Sequence, residues 1–368
     1  MKQVNLSGDK TTVELGMGLT WAEAYQELSK DGVNVVGGRV SGPGVGGLTL
    51  GGGFSWKTNQ FGLTCDTVKT YNVVLPNGTI TTASANTNTD LFFALKGGLN
   101  RFGIVTSIVY ETHPQTPQVW AGQRVYTGDK ADALLNATEV FSRTVTDPKA
   151  QVILTLEGLP VLALTPVVLM FYDGPDPGDS FAMFDGIIPV SSGTFKQPFA
   201  SFVAAQATQL LQNNRGTSHT VSVSAVTLPL LDAIKTEVKS LTAQMALHSG
   251  SLVSGGVDPF LDYGQYATDS AFPHADSPLL VSLYCAWGLS IDDEFWIDSV
   301  KLSIANIKQV AIKEGIFKDS FTAYPNYAVG DTTAEELYGT ENAARLRAIK
   351  SSVDPDGVME LAGGFSLQ

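Results

Sequence analysis

A chain of 368 residues with 43% apolar side chains has enough material for two buried cores, which excludes a disordered protein. Its formal net charge of -13 leaves no basic surface for nucleic acid or an anionic membrane, because both would repel it. Only Cys65 and Cys285 occur, which excludes a disulfide framework; two free thiols are expected, with a single bridge between them as the alternative.

The first residues, MKQVNLSGDKTTVELG, have no apolar run behind Lys2, so no secretory signal is expected there. Thr11 to Gly16 reads as a short strand. Thr20-Trp21-Ala22-Glu23 is a capping-box pattern opening a helix that ends near Gly32, and Val33 to Val36 reads as buried strand. Gly37 to Gly53 is too rich in glycine for a packed helix or strand interior, so something must approach this backbone closely. β-branched residues on both sides of Pro76-Asn77-Gly78 predict a hairpin. Asp90 is placed to cap the short helix LFFALKGG, and Phe102 to Tyr110 reads as strand.

Beyond Pro117, amphipathic helices near 129–145, 199–213 and 229–248 alternate with β-rich runs at 151–172, 219–228 and 278–288. The apolar stretch Leu159 to Tyr172 is too short to cross a bilayer and reads as buried strand, so no membrane partner is expected. A helix near 334–350 follows the aromatic YPNYA at 324–328. The expected class is α+β.

Gly42, Gly44 and Gly47 match G-x-G-x-x-G, with Asp66 where a dinucleotide fold places its ribose-binding acid. That reading needs a helix to begin at the third glycine, yet LTLGGGFSW follows. A ligand-free cluster of turns would carry an entropic cost with no return, whereas exposed peptide N–H groups form an anion-binding concavity that a phosphate or flavin edge would satisfy. No H-E-x-x-H, paired-cysteine or G-x-S-x-G motif occurs, so neither a metal site nor serine hydrolysis is expected. Glu157, Asp173 and Asp232 read as scattered, solvated acids.

GGRVSGPGVGGLTLGGGFSWKTNQFGLTCDTVKTYNVVLPNGTI, followed by DLFFALKGGLNRFGIVTSIVYETHP, resembles the FAD-binding domain of berberine bridge enzyme and its relatives in the vanillyl-alcohol oxidase class, fungal oligosaccharide and secondary-metabolite oxidases among them. The resemblance implies the second half of a PCMH-type FAD-binding domain at 1–115, truncated at its N-terminus. A substrate domain with an antiparallel sheet covered by helices would span 116–315, with a return to the first domain at 316–368. The earlier part of the family's flavin domain, with its pyrophosphate loop and attachment histidine, would precede residue 1.

The same resemblance implies that Gly44, Val45, Gly46 and Gly47 run along the flavin and pyrophosphate, that Gly51, Gly52, Gly53 and Ser55 continue the contact, and that Gly62 and Asp66 shape the turn behind it. Ile104 would reach the adenine through its backbone. Tyr324-Pro325-Asn326-Tyr327 matches the family's Y-x-N-Y motif. It implies Asn326 beside the isoalloxazine and Tyr327, or as second choice Tyr324, facing substrate as a phenol base whose ordinary pKa of about 10 must come down. Val329 stands where the family carries an acid, and Asp331 is displaced.

Val40 occupies the position of the family's attachment cysteine, and none of His113, His219, His248 or His274 lies in an attachment motif, so FAD is expected to bind without a covalent link. The implied activity is hydride transfer from a small secondary metabolite or carbohydrate-like alcohol to FAD, with molecular oxygen as electron acceptor, in a biosynthetic pathway. The alternatives are a flavin-free scaffold acting as a binding or cyclase-like protein, and an inactive homologue.

Overall fold

Two runs of alternating buried and exposed positions become two antiparallel sheets in the computed structural model, which describes residues 1–160, 164–206 and 214–367. The first sheet joins β1 (Val4–Leu6), β2 (Thr12–Gly16), β3 (Val68–Val74), β4 (Ile80–Ser84) and β5 (Ile104–Glu111) in the order β1-β2-β5-β3-β4. Val13 and Leu15 of β2 and Tyr71 and Val73 of β3 turn to the core, as a period of two requires. Pro76-Asn77-Gly78 does form the hairpin: Gly78 has φ of +82°, and Thr79 N–H donates to Asn77 Oδ1 at 3.0 Å.

The capping box at Thr20 and Glu23 is complete and starts the helix Trp21–Leu28, which passes through one 3-10 turn to Gly32 at φ +69°. The following strand is shorter than its sequence suggests. Only Val33–Asn34 pairs, with His113–Pro114, while Val35 and Val36 are buried outside any ladder.

The second sheet has the order of two short edge strands (Ser191–Ser192 and Phe195–Gln197), then β6 (Val119–Val125), β8 (Thr165–Tyr172), β7 (Ala150–Gly158), β10 (Gly250–Asp258), β11 (Leu279–Trp287) and β9 (Arg215–Val223). The helices Ala131–Thr144, Leu228–Gln244 and Asp293–Lys313 share a core with one face, through Leu154, Val168, Val253 and Leu283. The other face carries a polar row: Glu157 stands opposite Ser254, Ser254 opposite Tyr284, and Tyr284 opposite Ser218. No helix among the described residues is long and apolar enough to cross a membrane.

Two long elements were not expected from sequence. β10 is punctuated by Gly255 and Gly256, yet Gly255 is needed where Val238 and Ile234 of the covering helix press on the strand. The helix Asp293–Lys313 exposes Leu302 and Ile312 while burying Ser303, which blurs its amphipathic stripe. Other boundaries move. The expected helix near 199–213 is helical over Phe199–Ala205, and 207–213 lie outside the described residues, as do 161–163 of the expected strand from Leu159. The run expected at 219–228 is the strand Arg215–Val223. Asp90 does not cap its helix: Asn88 occupies that position, and Asp90, in the first turn, pairs with Arg345 at 3.0 Å.

Three buried ion pairs join the glycine-rich segment to the second sheet and its loops. Lys57 Nζ meets Asp173 at 2.5 Å, Arg39 meets Asp258 at 2.8 Å, and His274 Nε2 donates to Asp66 at 2.9 Å. Asp173 is therefore no solvated acid: it also accepts from Gln60 and Gln115. Asp232 keeps an exposed side chain and pairs with Lys235, while Glu157 is half-buried, with burial pushing its carboxyl up.

At Asp66, burial also works against the charge, but the His274 charge and hydrogen bond, with Lys96 and Thr268, outweigh it and hold the carboxyl below the usual range. A carboxylate depressed on folding stabilises the protein above its unfolded value of about 4 and loses that contribution as pH falls through the folded value. Calorimetric melting between about pH 2 and pH 7 should therefore show a steeper acid-side loss of Tm for the natural chain than for Asp66→Asn. Parallel curves would contradict this assignment.

Candidate active site

The glycine run folds differently from its sequence expectation at one point: Val45–Leu50 is a helix, despite Gly46 and Gly47 within it. Thr49, fully buried, donates its hydroxyl to the Val45 carbonyl at 2.7 Å and lies 2.8 Å from the Tyr110 hydroxyl, which ties the helix to β5. Gly44 precedes the helix in extended conformation, and Val45 N–H donates to Leu19 O at 2.9 Å. The N–H groups of Gly46 and Gly47 find no acceptor among the described residues. Gly42, Gly44 and Gly47 are exposed, and a Cβ at Gly47 would meet nothing within 4 Å. Val45 and Gly46 are buried, so the stretch is open at Gly44 and Gly47, where the unpaired Gly47 N–H fits the phosphate side of a dinucleotide.

The next glycines are closed over by protein. A Cβ on Gly51 would overlap the Asn326 amide, one on Gly52 would approach Phe272, and one on Gly53 would strike Thr64. Gly52 and Gly53 also have φ of +106° and +89°. Ser55 is fully buried and accepts from the N–H groups of Gly37 and Lys57, so it organises the turn from within. Gly62 has φ +84°, and Asp66 accepts from Leu63 N–H behind it. Ile104 opens β5 with an exposed side chain, and Val40 is half-buried.

The tyrosine loop is laid against this segment from a distance in sequence. Asn326 Nδ2 donates to Leu48 O at 2.9 Å and to Tyr324 Oη at 2.8 Å, while Gly53 and Phe54 N–H groups point at the same phenol oxygen at 3.2 and 3.4 Å. Tyr324 N–H in turn donates to Thr220 Oγ1 on β9 at 3.0 Å, which anchors the loop to the second sheet. Tyr324 is thus a buried strut; burial and the neighbouring Tyr327 hold its phenol well above the ordinary value. Tyr327 stacks edge-on against it, with 5.2 Å between ring centroids, and is 36% exposed.

Arg39 and Asp258 sit beside this loop and were missed in the sequence. Burial disfavours the Arg39 charge, but Asp258 outweighs it, and the two phenols of Tyr324 and Tyr327 act in the same direction. Arg39 also lies 5.9 Å from the Phe260 ring, which stacks on Phe54 at 5.0 Å. One signal was available: Arg39 is the only charged residue between Gly32 and Lys57. The site therefore combines an open row of backbone donors, a half-exposed phenol and a buried cation close to that phenol.

Among the histidines, His113 stacks on Phe61, His248 on Phe295, and His219 accepts from Val329 N–H. His274 gathers with Cys65 and Asp66 so that ligand-type atoms lie within 4.8 Å, but both its ring nitrogens are engaged, Nδ1 with Phe272 O and Nε2 with Asp66. Cys65 and Cys285 are separate buried thiols.

The FAD binding domain family matches residues 1–84, and the berberine and berberine-like family matches residues 323–362. The chain is 30% identical over 380 residues to the FAD-dependent monooxygenase drtC of Aspergillus calidoustus, covering 97% of this chain and 70% of that protein. It is 39% identical over 216 residues to an FAD-linked oxidoreductase of Arthroderma benhamiae, a match that covers 58% of this chain but only 43% of that protein.

The fold resembles that of Physcomitrella patens BBE-like 1, with TM-score 0.80 and 18% identity over 100% of this chain and 80% of that one. It also resembles a xylooligosaccharide oxidase from Myceliophthora thermophila solved with xylobiose, with TM-score 0.77 and 21% identity over 98% of this chain and 79% of that one. The chain belongs to the berberine bridge enzyme-like family of FAD-dependent oxidoreductases.

Proposed function

We propose that this protein oxidises a small organic alcohol, a secondary metabolite or a carbohydrate-like compound, in a biosynthetic pathway, with non-covalent FAD and with molecular oxygen as the final acceptor. The observation that carries this is the seating of the Tyr324–Tyr327 loop on the glycine segment, with Asn326 filling the space that Gly51 leaves. Relatives named FAD-dependent monooxygenases and a structural neighbour named as a sugar oxidase support the reaction class. When bound, FAD supplies the hydride acceptor.

The chain's own residues do the rest. Gly46 and Gly47, whose N–H groups have no acceptor among the described residues, would offer them to a phosphate. Tyr324 stays protonated and holds Asn326, the Gly53 amide and the loop in register. Tyr327, the half-exposed phenol at the tip of the loop, takes the substrate's hydroxyl proton. Val40, at the position of the family's attachment cysteine, disfavours a cysteinyl link.

The visible spectrum of the purified protein, before and after adding FAD and desalting, tests this reading. A flavin band that follows the protein, with an FAD-dependent rise in Tm, is expected. No retained flavin and no thermal shift would overturn it.

A further inference from the structure

Behind the tyrosine loop, between β9, the helix Asp293–Lys313 and residues 317–336, lies a cavity of about 440 Å³. This is within the roughly 300–1,000 Å³ typical of small-molecule sites. Phe317, Phe321, Ile304 and Val329 give it apolar walls. Its polar groups are unequally matched. Of the two acids at its edge, Asp331 pairs with Lys301 at 2.5 Å, and Glu336 caps its own helix by accepting from Thr333 N–H at 2.9 Å and Thr333 Oγ1–H at 2.8 Å.

Three donors have no such partners among the described residues. Val329 N–H donates to His219 Nδ1 at 3.4 Å, which places the proton of the neutral ring on Nε2, and no acceptor meets that atom. Burial pulls His219 below its usual value, in keeping with a neutral ring. Lys308 faces no carboxylate; its ammonium lies 4.5 Å from the Phe317 ring centroid. Thr322, only 7% exposed, buries a hydroxyl with no hydrogen-bond partner. A cavity with apolar walls at one side and three unmatched donors, one of them a lysine with no carboxylate, its Glu336 already engaged in a helix cap, selects an amphiphilic anion.

We infer that this cavity binds a small aromatic or aliphatic carboxylate, with its charge toward Lys308 and His219 and its apolar body against Phe317 and Phe321. The site is distinct from the glycine floor. Thr220, which holds Tyr324 N–H, lines the same cavity, so an occupant presses on the back of the tyrosine loop.

Benzoate is the probe, titrated into the purified full chain at neutral pH and followed by thermal shift and calorimetry, with benzyl alcohol and phosphate in parallel. A saturable rise in Tm is expected for benzoate, with binding weaker by roughly tenfold for the neutral or purely ionic probe. Lys308→Ala should weaken benzoate by about tenfold. Ala305→Trp, which fills the cavity from an exposed helix position, should abolish binding. Absence of benzoate binding to the natural chain, or binding that survives either substitution, overturns the assignment. None of the three probes involves flavin, so the result is independent of the redox reading.

Discussion

Asp173→Ala is expected to lower folding stability by about 3–5 kcal/mol, measured by urea or thermal unfolding. The substitution strands the Lys57 ammonium, whose side chain is 1% exposed, with no anion to replace the one at 2.5 Å. Gln60 and Gln115 lose an acceptor at the same time. Coulomb attraction in the natural pair mainly offsets the desolvation of two charges, so removing one partner costs far more than removing both. The double variant Lys57→Met with Asp173→Leu should therefore recover most of the loss. A single-variant effect below about 1 kcal/mol would mean that water reaches Lys57 and that the pair is no staple.

Tyr327→Phe is expected to reduce turnover by about 10²–10⁴-fold while leaving flavin binding unchanged. The phenol sits half-exposed at the loop tip, and its oxygen accepts no hydrogen bond that the fold depends on, so its removal should not disturb the segment. Tyr324→Phe should behave otherwise. It deprives Asn326 Nδ2 and Gly53 N–H of their shared acceptor inside a buried site, costing about 1–3 kcal/mol of stability as well as activity. Comparing kcat with Tm for the two variants separates proton transfer from positioning. Equal losses of stability in both would contradict the division of roles.

What was legible in the sequence was local. Thr20 and Glu23 lie three residues apart and close their own capping box, and Asn77-Gly78 needs only its own backbone preference to turn a hairpin. The Y-x-N-Y motif was visible for the same reason. The features that escaped depend on partners far along the chain. Asp173 read as solvated because Lys57 lies 116 residues away. Arg39 gains meaning only beside Asp258, and the strand Gly250–Asp258 is held by neighbours that tolerate its glycines.

The glycine run shows both sides of this. Its richness pointed correctly to a close approach, but at Gly51 the approaching group is the chain's own Asn326, while Gly47 faces open space. The helix Val45–Leu50 shows that glycine content alone did not exclude a helix: the burial of Val45 and Thr49, the Thr49 contact with Tyr110 and the anchoring of Val45 to Leu19 O outweigh an entropic cost of about 1 kcal/mol per glycine.

The central claim is that the segment Gly44–Gly47, open at Gly44 and Gly47, holds FAD, and Gly47→Val tests it most directly. A Cβ there meets no protein atom within 4 Å and Gly47 is exposed, so the fold should tolerate a side chain that would occupy the space of a bound phosphate. FAD titrated into the natural chain and the variant, followed by quenching of flavin fluorescence, should saturate for the natural chain and show affinity at least roughly tenfold weaker for Gly47→Val, with Tm of the FAD-free proteins alike. Equal affinity for the two proteins would place the flavin elsewhere and contradict the account.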